Sequence, residues 1–305
     1  MIELSVILCA HNPRRPFLER VLAALRAQTL PVVRWELVLV DNASTEPLAG
    51  WVDLNWHPQA RLVLEEQLGV TRARLRGIAA SVGEILVFVD DDNVLRPDYL
   101  EQALAIHRER PELGAWGGNV RLEFTVPPPA WTQRHWRLLA TRSVPQDVWS
   151  KSREPDGAMP VGAGLCVHRA VARRYAATAS QSALRLQLDR IGRELSSGGD
   201  TDLILVAPEI GMSHGLFARL HLDHLIPPER LEEAYLLRLQ EGMAASEILL
   251  RLERGLSVLR HETWRWKLKY FRTCLRLWGH RWKFFQARAR GQRRGFETYA
   301  RLMRG

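Results

Sequence analysis

Cysteine is scarce in this 305-residue chain, three in all at Cys9, Cys166 and Cys274. Far apart and odd in number, they give neither a zinc spacing nor a disulfide framework, which fits a reducing cytoplasm. Long apolar runs are missing as well. No uncharged stretch reaches spanning length, and the first residues lack the basic start and apolar core of a signal peptide. The expected location is therefore cytoplasmic. There is no Gly-x-Gly-x-x-Gly after the first apolar run and no Walker loop, which disfavours a dinucleotide cofactor and a P-loop NTPase. No recognition motif for nucleic acid accompanies the basic charge, so no nucleic-acid partner is expected.

What is present is the composition of a folded protein, 46% hydrophobic and 25% charged. The net charge of +9 is unevenly placed. Residues 260–305 carry 14 Lys/Arg against 2 Asp/Glu, whereas residues 1–259 hold 29 basic and 32 acidic side chains. The basic character belongs to the tail.

Residues 84–92 read Glu-Ile-Leu-Val-Phe-Val-Asp-Asp-Asp, an apolar run that ends in Asp90, Asp91 and Asp92. Such a run suits a strand buried on both faces of a mostly parallel sheet. Three adjacent acids repel one another, so they are stable where they face water or bind a cation. At the carboxyl end of a strand, where open α/β sheets bind ligands, hard oxygen ligands suit Mg²⁺ or Mn²⁺ bridging to a substrate's phosphates. A solvated acidic turn capping the helix that starts near Pro97 accounts for the same pattern without chemistry.

Around this stretch, strands are expected over residues 4–9, 35–40, 61–65 and 84–89, and helices over 16–28, 69–81 and 97–109. The alternation predicts a doubly wound, Rossmann-like sheet flanked by helices. Glycine-rich residues 114–124 follow, then a Pro- and Trp-rich loop over 127–136 that suits a lid or a plain surface loop. Residues 161–167 read as a further strand and 176–195 as helical. Ser197-Gly-Gly-Asp-Thr-Asp then delivers Asp200 and Asp202 to the start of an apolar helix over 203–209. A helix N-cap explains one of these acids but not both.

Taken in order, Ser5-Val-Ile-Leu-Cys-Ala-His-Asn, Glu36-Leu-Val-Leu-Val-Asp-Asn-Ala-Ser-Thr, Gly69-Val-Thr-Arg-Ala-Arg-Leu-Arg-Gly-Ile, Ile85-Leu-Val-Phe-Val-Asp-Asp-Asp, Gly162-Ala-Gly-Leu-Cys-Val and Gly198-Gly-Asp-Thr-Asp-Leu resemble the family 2 glycosyltransferases. The likeness covers about residues 3–230. It implies a GT-A fold and an inverting transfer of a sugar from a nucleotide-diphosphate donor, such as a UDP- or GDP-sugar, to a glycan or lipid-linked acceptor. It also implies roles by position. Ala10 and Asn12 fall where the first loop touches the nucleotide, Asp41 where a carboxylate binds base or ribose, and Arg74 near the diphosphate. Asp90 and Asp92 are the outer acids of the Asp-x-Asp motif, which implies ribose contact and a share of the metal for Asp90 and metal coordination for Asp92, with Asp91 between them beside the nucleotide. Asp200 matches the general base, with Asp202 second because Gly199 replaces the family's usual Glu. His224, in a His-Leu-Ile-Pro stretch found in some relatives, falls where a late His completes the metal shell or meets the diphosphate. His221 is a weaker candidate than His224, and His168 and His214 read as structural. The cofactor implied is Mn²⁺ or Mg²⁺, and the setting is bacterial surface glycan or exopolysaccharide synthesis.

The expected organisation is a GT-A domain over residues 1–230 and a helical, basic and aromatic extension over 231–305. Trp264, Leu268, Phe271, Leu275, Trp278, Trp282 and Phe285 recur at helical spacing, interleaved with Arg265, Lys267, Lys269, Arg272, Arg276, Arg281 and Lys283. Residues 260–285 thus suit an anionic membrane surface, with the protein peripheral on the inner face. Packing of this face on the catalytic domain or on another subunit fits the same pattern. Two other readings share the acidic motif: a nucleotidyltransferase, which needs no acid like Asp200, and a non-catalytic nucleotide-sugar-binding scaffold.

Overall fold

The computed structural model describes residues 2–189, 195–258 and 279–303. In chain order they form β1 (Leu4–Ala10), α1 (Arg15–Arg26), β2 (Trp35–Asn42), β3 (Ala60–Glu65), α2 (Val70–Ala80), β4 (Ile85–Asp90), β5 (Asn93–Leu95), α3 (Tyr99–Glu109), β6 (Leu113–Phe124), β7 (Val148–Ser150) and β8 (Cys166–His168). There follow α4 (Arg169–Ala179), α5 (Gly199–Ile204), α6 (Val206–Glu209), β9 (Ser213–Ile226), α7 (Glu233–Glu253) and α8 (His280–Leu302).

One nine-stranded sheet runs β3-β2-β1-β4-β8-β6-β9-β5, with β7 paired to β9. The first four strands in that order are parallel. Beyond β4 the directions mix: β8 is antiparallel to β4 and β6, and β6 is parallel to β9. Alternation along β1 explains why the central strands read as continuous apolar runs. Leu4, Val6 and Leu8 enter one core with α1 and α3, while Ile7 enters the other with α2, α4, α5 and α6. Both faces are covered, so polar groups collect where the strands stop.

Differences from the expected elements have local causes. The run over 161–167 is strand only at β8, because Gly162 and Gly164 (φ +66°) turn the chain before it. The helical stretch over 176–195 stops with α4, and a single turn at Arg185–Gln187 follows. The Pro- and Trp-rich segment folds as a 3₁₀ helix over Ala130–Leu139, ended by Ala140 in the left-handed region (φ 63°). The short strands β5 and β7, three residues each, carry no readable period.

The two C-terminal helices pack side by side in the same direction. Gly291 and Gly295 of α8 meet α7 so closely that an added Cβ would lie 2.1 Å from the Glu241 carbonyl and 2.8 Å from that of Ala245. Acids of α7 pair with side chains of α8: Glu233 with His280 and Lys283, Glu247 with Arg288, and Glu241 with Arg290. α8 also holds the 3₁₀ segment, with Trp131 stacked on His280 at 4.5 Å and His135 on Phe284 at 3.5 Å between ring centroids. Of the aromatic face read from the tail, Trp264, Leu268, Phe271, Leu275 and Trp278 lie outside the described residues. Trp282 and Phe285 are half-buried on α8. Among the described residues no helix is long and apolar enough to cross a membrane.

A buried ion cluster ties α5 to the end of α7. Asp202 is fully buried, and its Oδ1 accepts from Arg254 Nε at 3.1 Å and Nη2 at 2.7 Å, with Arg185 Nε 3.7 Å from Oδ2. Burial pushes the Asp202 carboxyl up, against the pull of Arg254 and Arg185. Arg254→Met should therefore cost about 3–5 kcal/mol in urea unfolding at pH 8, because it strands a buried charge. The difference from wild type should shrink toward pH 5, since protonation of Asp202 then relieves the variant more than the parent. An equal loss at both pH values would show that lost packing is the cause.

Candidate active site

The carboxyl ends of β1, β2 and β4 open into a cavity of about 400 Å³. The loop after β1 contributes Ala10, His11 and Asn12, the end of β2 contributes Asn42, and the loop after β4 contributes Asp90, Asp91 and Asp92. Asn12 takes a left-handed backbone (φ 47°), and its side-chain oxygen accepts from the Thr45 N–H at 2.8 Å. Asp41 does not line the cavity. Its two oxygens accept from the N–H groups of Ser44 and Leu48, at 3.0 and 2.9 Å, and so hold the loop after β2.

Two clusters organise the polar wall. The first centres on Arg74 of α2, which is buried and points Nη1 at Asp189 Oδ2, 3.4 Å away. Burial pulls the guanidinium down, but Asp189, Asp90 and Asp200 together raise it above its usual range, so it stays charged. Asp189 also accepts from Thr71 Oγ1 and the Gly199 N–H, both at 3.2 Å. Burial pushes its carboxyl up, with Asp200 adding to the rise and Arg74 opposing it. Asp200 stands at the start of α5, where Oδ2 accepts from the Gly162 N–H and Oδ1 from the Thr201 N–H, each at 2.9 Å. A Cβ on Gly162 would come within 2.9 Å of Asp200 Oδ2 and 3.0 Å of Arg74 Nη2, so glycine is what fits there. Asp202, two residues on, is sealed in the ion cluster with Arg254 and does not line the cavity.

The second cluster joins Asp92, His224 and Arg230. Asp92 is buried, and its Oδ2 lies 2.8 Å from Arg230 Nη1 and 3.4 Å from His224 Nε2. Asn93 Nδ2 donates to Oδ1 at 2.9 Å. The His224 Nδ1 proton goes to the Leu139 carbonyl at 3.0 Å, which leaves the Nε2 lone pair facing Asp92 and Arg230. An imidazole nitrogen and a carboxylate oxygen at this separation, already drawing a cationic group, form a donor set able to hold a divalent ion. Residues able to hold a divalent ion here are therefore Asp92 and His224, with Asp90 and Asp91 on the same wall.

Other candidates for chemistry fall away. Cys9 lines the cavity, but burial pushes its thiol up to about 12, so it is not a thiolate nucleophile at neutral pH. Among the described residues the one group of three His or acidic side chains with ligand atoms in mutual reach is Glu84, His107 and His168, outside the cavity. His168 Nδ1 accepts from the Ala170 N–H at 3.1 Å, which puts the ring proton on Nε2, facing Glu84 Oε1 at 3.7 Å. That arrangement is a loose polar cluster at the start of α4, with His107 Nε2 4.0 Å from the same Glu84 oxygen.

Several residues of the cavity carry no motif in the sequence. Asp189 lies in a stretch without one. Arg230 follows the His-Leu-Ile-Pro stretch closely, and a cation so near that stretch is the one signal that could have pointed to it. Tyr235 and Leu239 of α7 also line the cavity, so the C-terminal region contributes to its wall.

The family model for glycosyl transferase family 2 matches residues 5–174, more than half of the chain. AglE from Haloferax volcanii, a glycosyltransferase by name, is 32% identical over 126 residues, which is 40% of this chain and 40% of AglE. EpsH from Bacillus subtilis, a putative glycosyltransferase by name, is 26% identical over 102 residues, 33% of this chain and 29% of EpsH. The chain thus spans less than half the length of these curated relatives. Residues 1–349 of TarS from S. aureus superpose with a TM-score of 0.50 at 15% identity, covering 99% of this chain and 90% of that one, a likeness of fold. With a GT-A-like α/β sheet and a family match that runs from β1 into α4, the chain belongs to glycosyl transferase family 2.

Proposed function

We propose that the protein transfers a sugar from a nucleoside-diphosphate donor to a hydroxyl acceptor with inversion at the anomeric carbon. The observation that carries this reading is that one cavity collects both Asp92 and Asp200, which are far apart in the chain. The wall formed by Ala10, Asn12, Asp90 and Asp91 takes the nucleotide. Asp41 supports that wall from beneath, through the loop it holds. Arg74 places positive charge beside the diphosphate. Bound at Asp92 and His224, Mn²⁺ or Mg²⁺ would supply Lewis-acid neutralisation of the departing diphosphate. Asp200 takes the proton of the attacking hydroxyl, and the N–H groups of Gly162 and Thr201 hold its carboxylate in place. Asp202 takes no part in the chemistry, because both its position and its charge are committed to Arg254 and Arg185.

Membership of glycosyl transferase family 2 supports a glycan acceptor, and the reading extends to a lipid-linked glycan in bacterial surface glycan or exopolysaccharide synthesis. The donor is a UDP- or GDP-sugar. The catalytic unit is residues 1–230, extended by the helices of 231–305. Basic and aromatic residues over 260–285 attach the protein to an anionic membrane surface on the cytoplasmic side, although Lys283 is partly spent on Glu233.

Asp200→Asn should lower transfer by about 10²–10⁴-fold while nucleoside-diphosphate affinity, measured by calorimetry, stays within a few-fold of wild type. Comparable turnover in the variant would remove Asp200 as the base. In a thermal-shift panel of nucleotide sugars with and without Mn²⁺, one nucleotide class should raise the melting temperature only with the metal, and Asp92→Asn should abolish that shift. A shift of equal size in the variant, or none with any donor, would reject this donor site. Full-length protein in which Arg265, Lys267, Lys269 and Arg272 are Gln should float with anionic vesicles markedly less than wild type at low salt. Unchanged flotation would sink membrane attachment by this stretch.

A further inference from the structure

The turn Pro228–Leu231 that follows β9 reaches into the cavity twice. Glu229 pairs with Arg14 of the loop after β1, and Arg230 crosses to Asp92. The Arg230 contact has an unusual geometry. Its Nη1 stands 2.8 Å from Asp92 Oδ2 and 3.1 Å from His224 Nε2, two atoms that are themselves 3.4 Å apart. With the His224 Nδ1 proton given to Leu139, Nε2 offers a lone pair. The guanidinium therefore sits on the same two atoms that the proposed function gives to a divalent ion. Two positive groups cannot share that seat in a buried site, where charge is weakly screened.

We infer that Arg230 is a placeholder for the metal and a clamp for the donor: a cation entering at Asp92 and His224 expels the guanidinium, which turns onto the diphosphate. The inference rests on the metal-assisted reading of this cavity. Its consequence is that metal and nucleoside diphosphate bind with positive coupling, because each relieves the charge that the other disturbs. The expelled guanidinium needs an anion. Asp91 already acts on Arg230 where it stands, and Asp90, Asp189 and Asp200 lie in the field of Arg74, whereas the donor brings two phosphates whose oxygens match a guanidinium fork. The turn is also suited to move. It is one short 3₁₀ segment, and the Arg14–Glu229 pair that braces it is about half exposed on both sides, 53% and 45%, where ion pairs hold weakly.

The test is Mn²⁺ titration, by calorimetry and by the electron paramagnetic resonance of free Mn²⁺, into full-length wild type, Arg230→Lys and Arg230→Gln. Each is titrated alone and with saturating UDP or GDP. Wild type should bind Mn²⁺ roughly tenfold tighter with its nucleotide, within the usual range of coupling between sites. Arg230→Gln should bind Mn²⁺ about tenfold tighter than wild type without nucleotide and gain less than wild type from adding it, with Arg230→Lys between the two. Nucleotide-free Mn²⁺ affinity in Arg230→Gln that equals or falls below wild type would overturn the inference. If the Gln variant fails to fold, the Lys variant decides by the same comparison. Mn²⁺ binding that ignores Arg230 removes this inference alone, whereas no Mn²⁺ binding by any protein, with or without nucleotide, removes the parent reading as well.

Discussion

Aspartates gathered where strands end would drive one another apart unless each met a positive charge, and the polar half of this structure depends on how arginines meet that demand. Arg74 holds the interior of the cavity, close enough to Asp189, Asp90 and Asp200 to be raised by all three. Arg230 holds Asp92, and Arg254 holds Asp202. Each arginine comes from a different element, so the charges that stabilise the site also fix α2 to the segment carrying Asp189, the turn after β9 to the loop after β4, and the end of α7 to α5. Burying such pairs gains little net stability compared with apolar packing, but removing one partner is severe. The arrangement therefore serves position more than stability.

The C-terminal helices belong to this arrangement as much as to any surface. α7 places Tyr235 and Leu239 on the cavity wall, and Arg254 at its end meets Asp202. α8 acts one step further out. Its His280 and Phe284 stack on Trp131 and His135 of the 3₁₀ segment, and that segment ends at Leu139, whose carbonyl orients His224. A run of contacts thus leads from the basic tail to the imidazole beside Asp92. Lys283, Arg288 and Arg290, cations that give α8 the look of a surface-seeking helix, are engaged by Glu233, Glu247 and Glu241 of α7.

What the sequence disclosed follows from how local the cause was. Strands β1, β2 and β4 are buried on both faces, so a run of apolar residues announced them, and the acids at residues 90–92 stood out because an apolar run rarely ends so abruptly. The mixed half of the sheet was less legible, since β5, β7 and β8 have three residues each and are defined by their neighbours rather than by a period. Asp189 and Arg230 were missed for the same reason. Each acquires its meaning from a partner more than a hundred positions away, Arg74 in one case and Asp92 in the other. Around Asp189 nothing in the flanking residues records that pairing, and around Arg230 only the nearness of the His-Leu-Ile-Pro stretch does.

Asp200 and Asp202 show where local reasoning reaches its limit. They sit two positions apart at the start of α5, with the same chemistry and the same capping preference. On a helix, two positions are about 200° apart, so the side chains must leave on nearly opposite faces. One face of α5 looks into the cavity and meets the Gly162 N–H, and the other looks into the protein and meets Arg254. Helical geometry alone requires that only one of the pair can reach the cavity. Which one it is depends on where α4 and α7 lie against α5, and that is decided by the apolar packing of Leu203, Ile204 and Leu250 rather than by either aspartate.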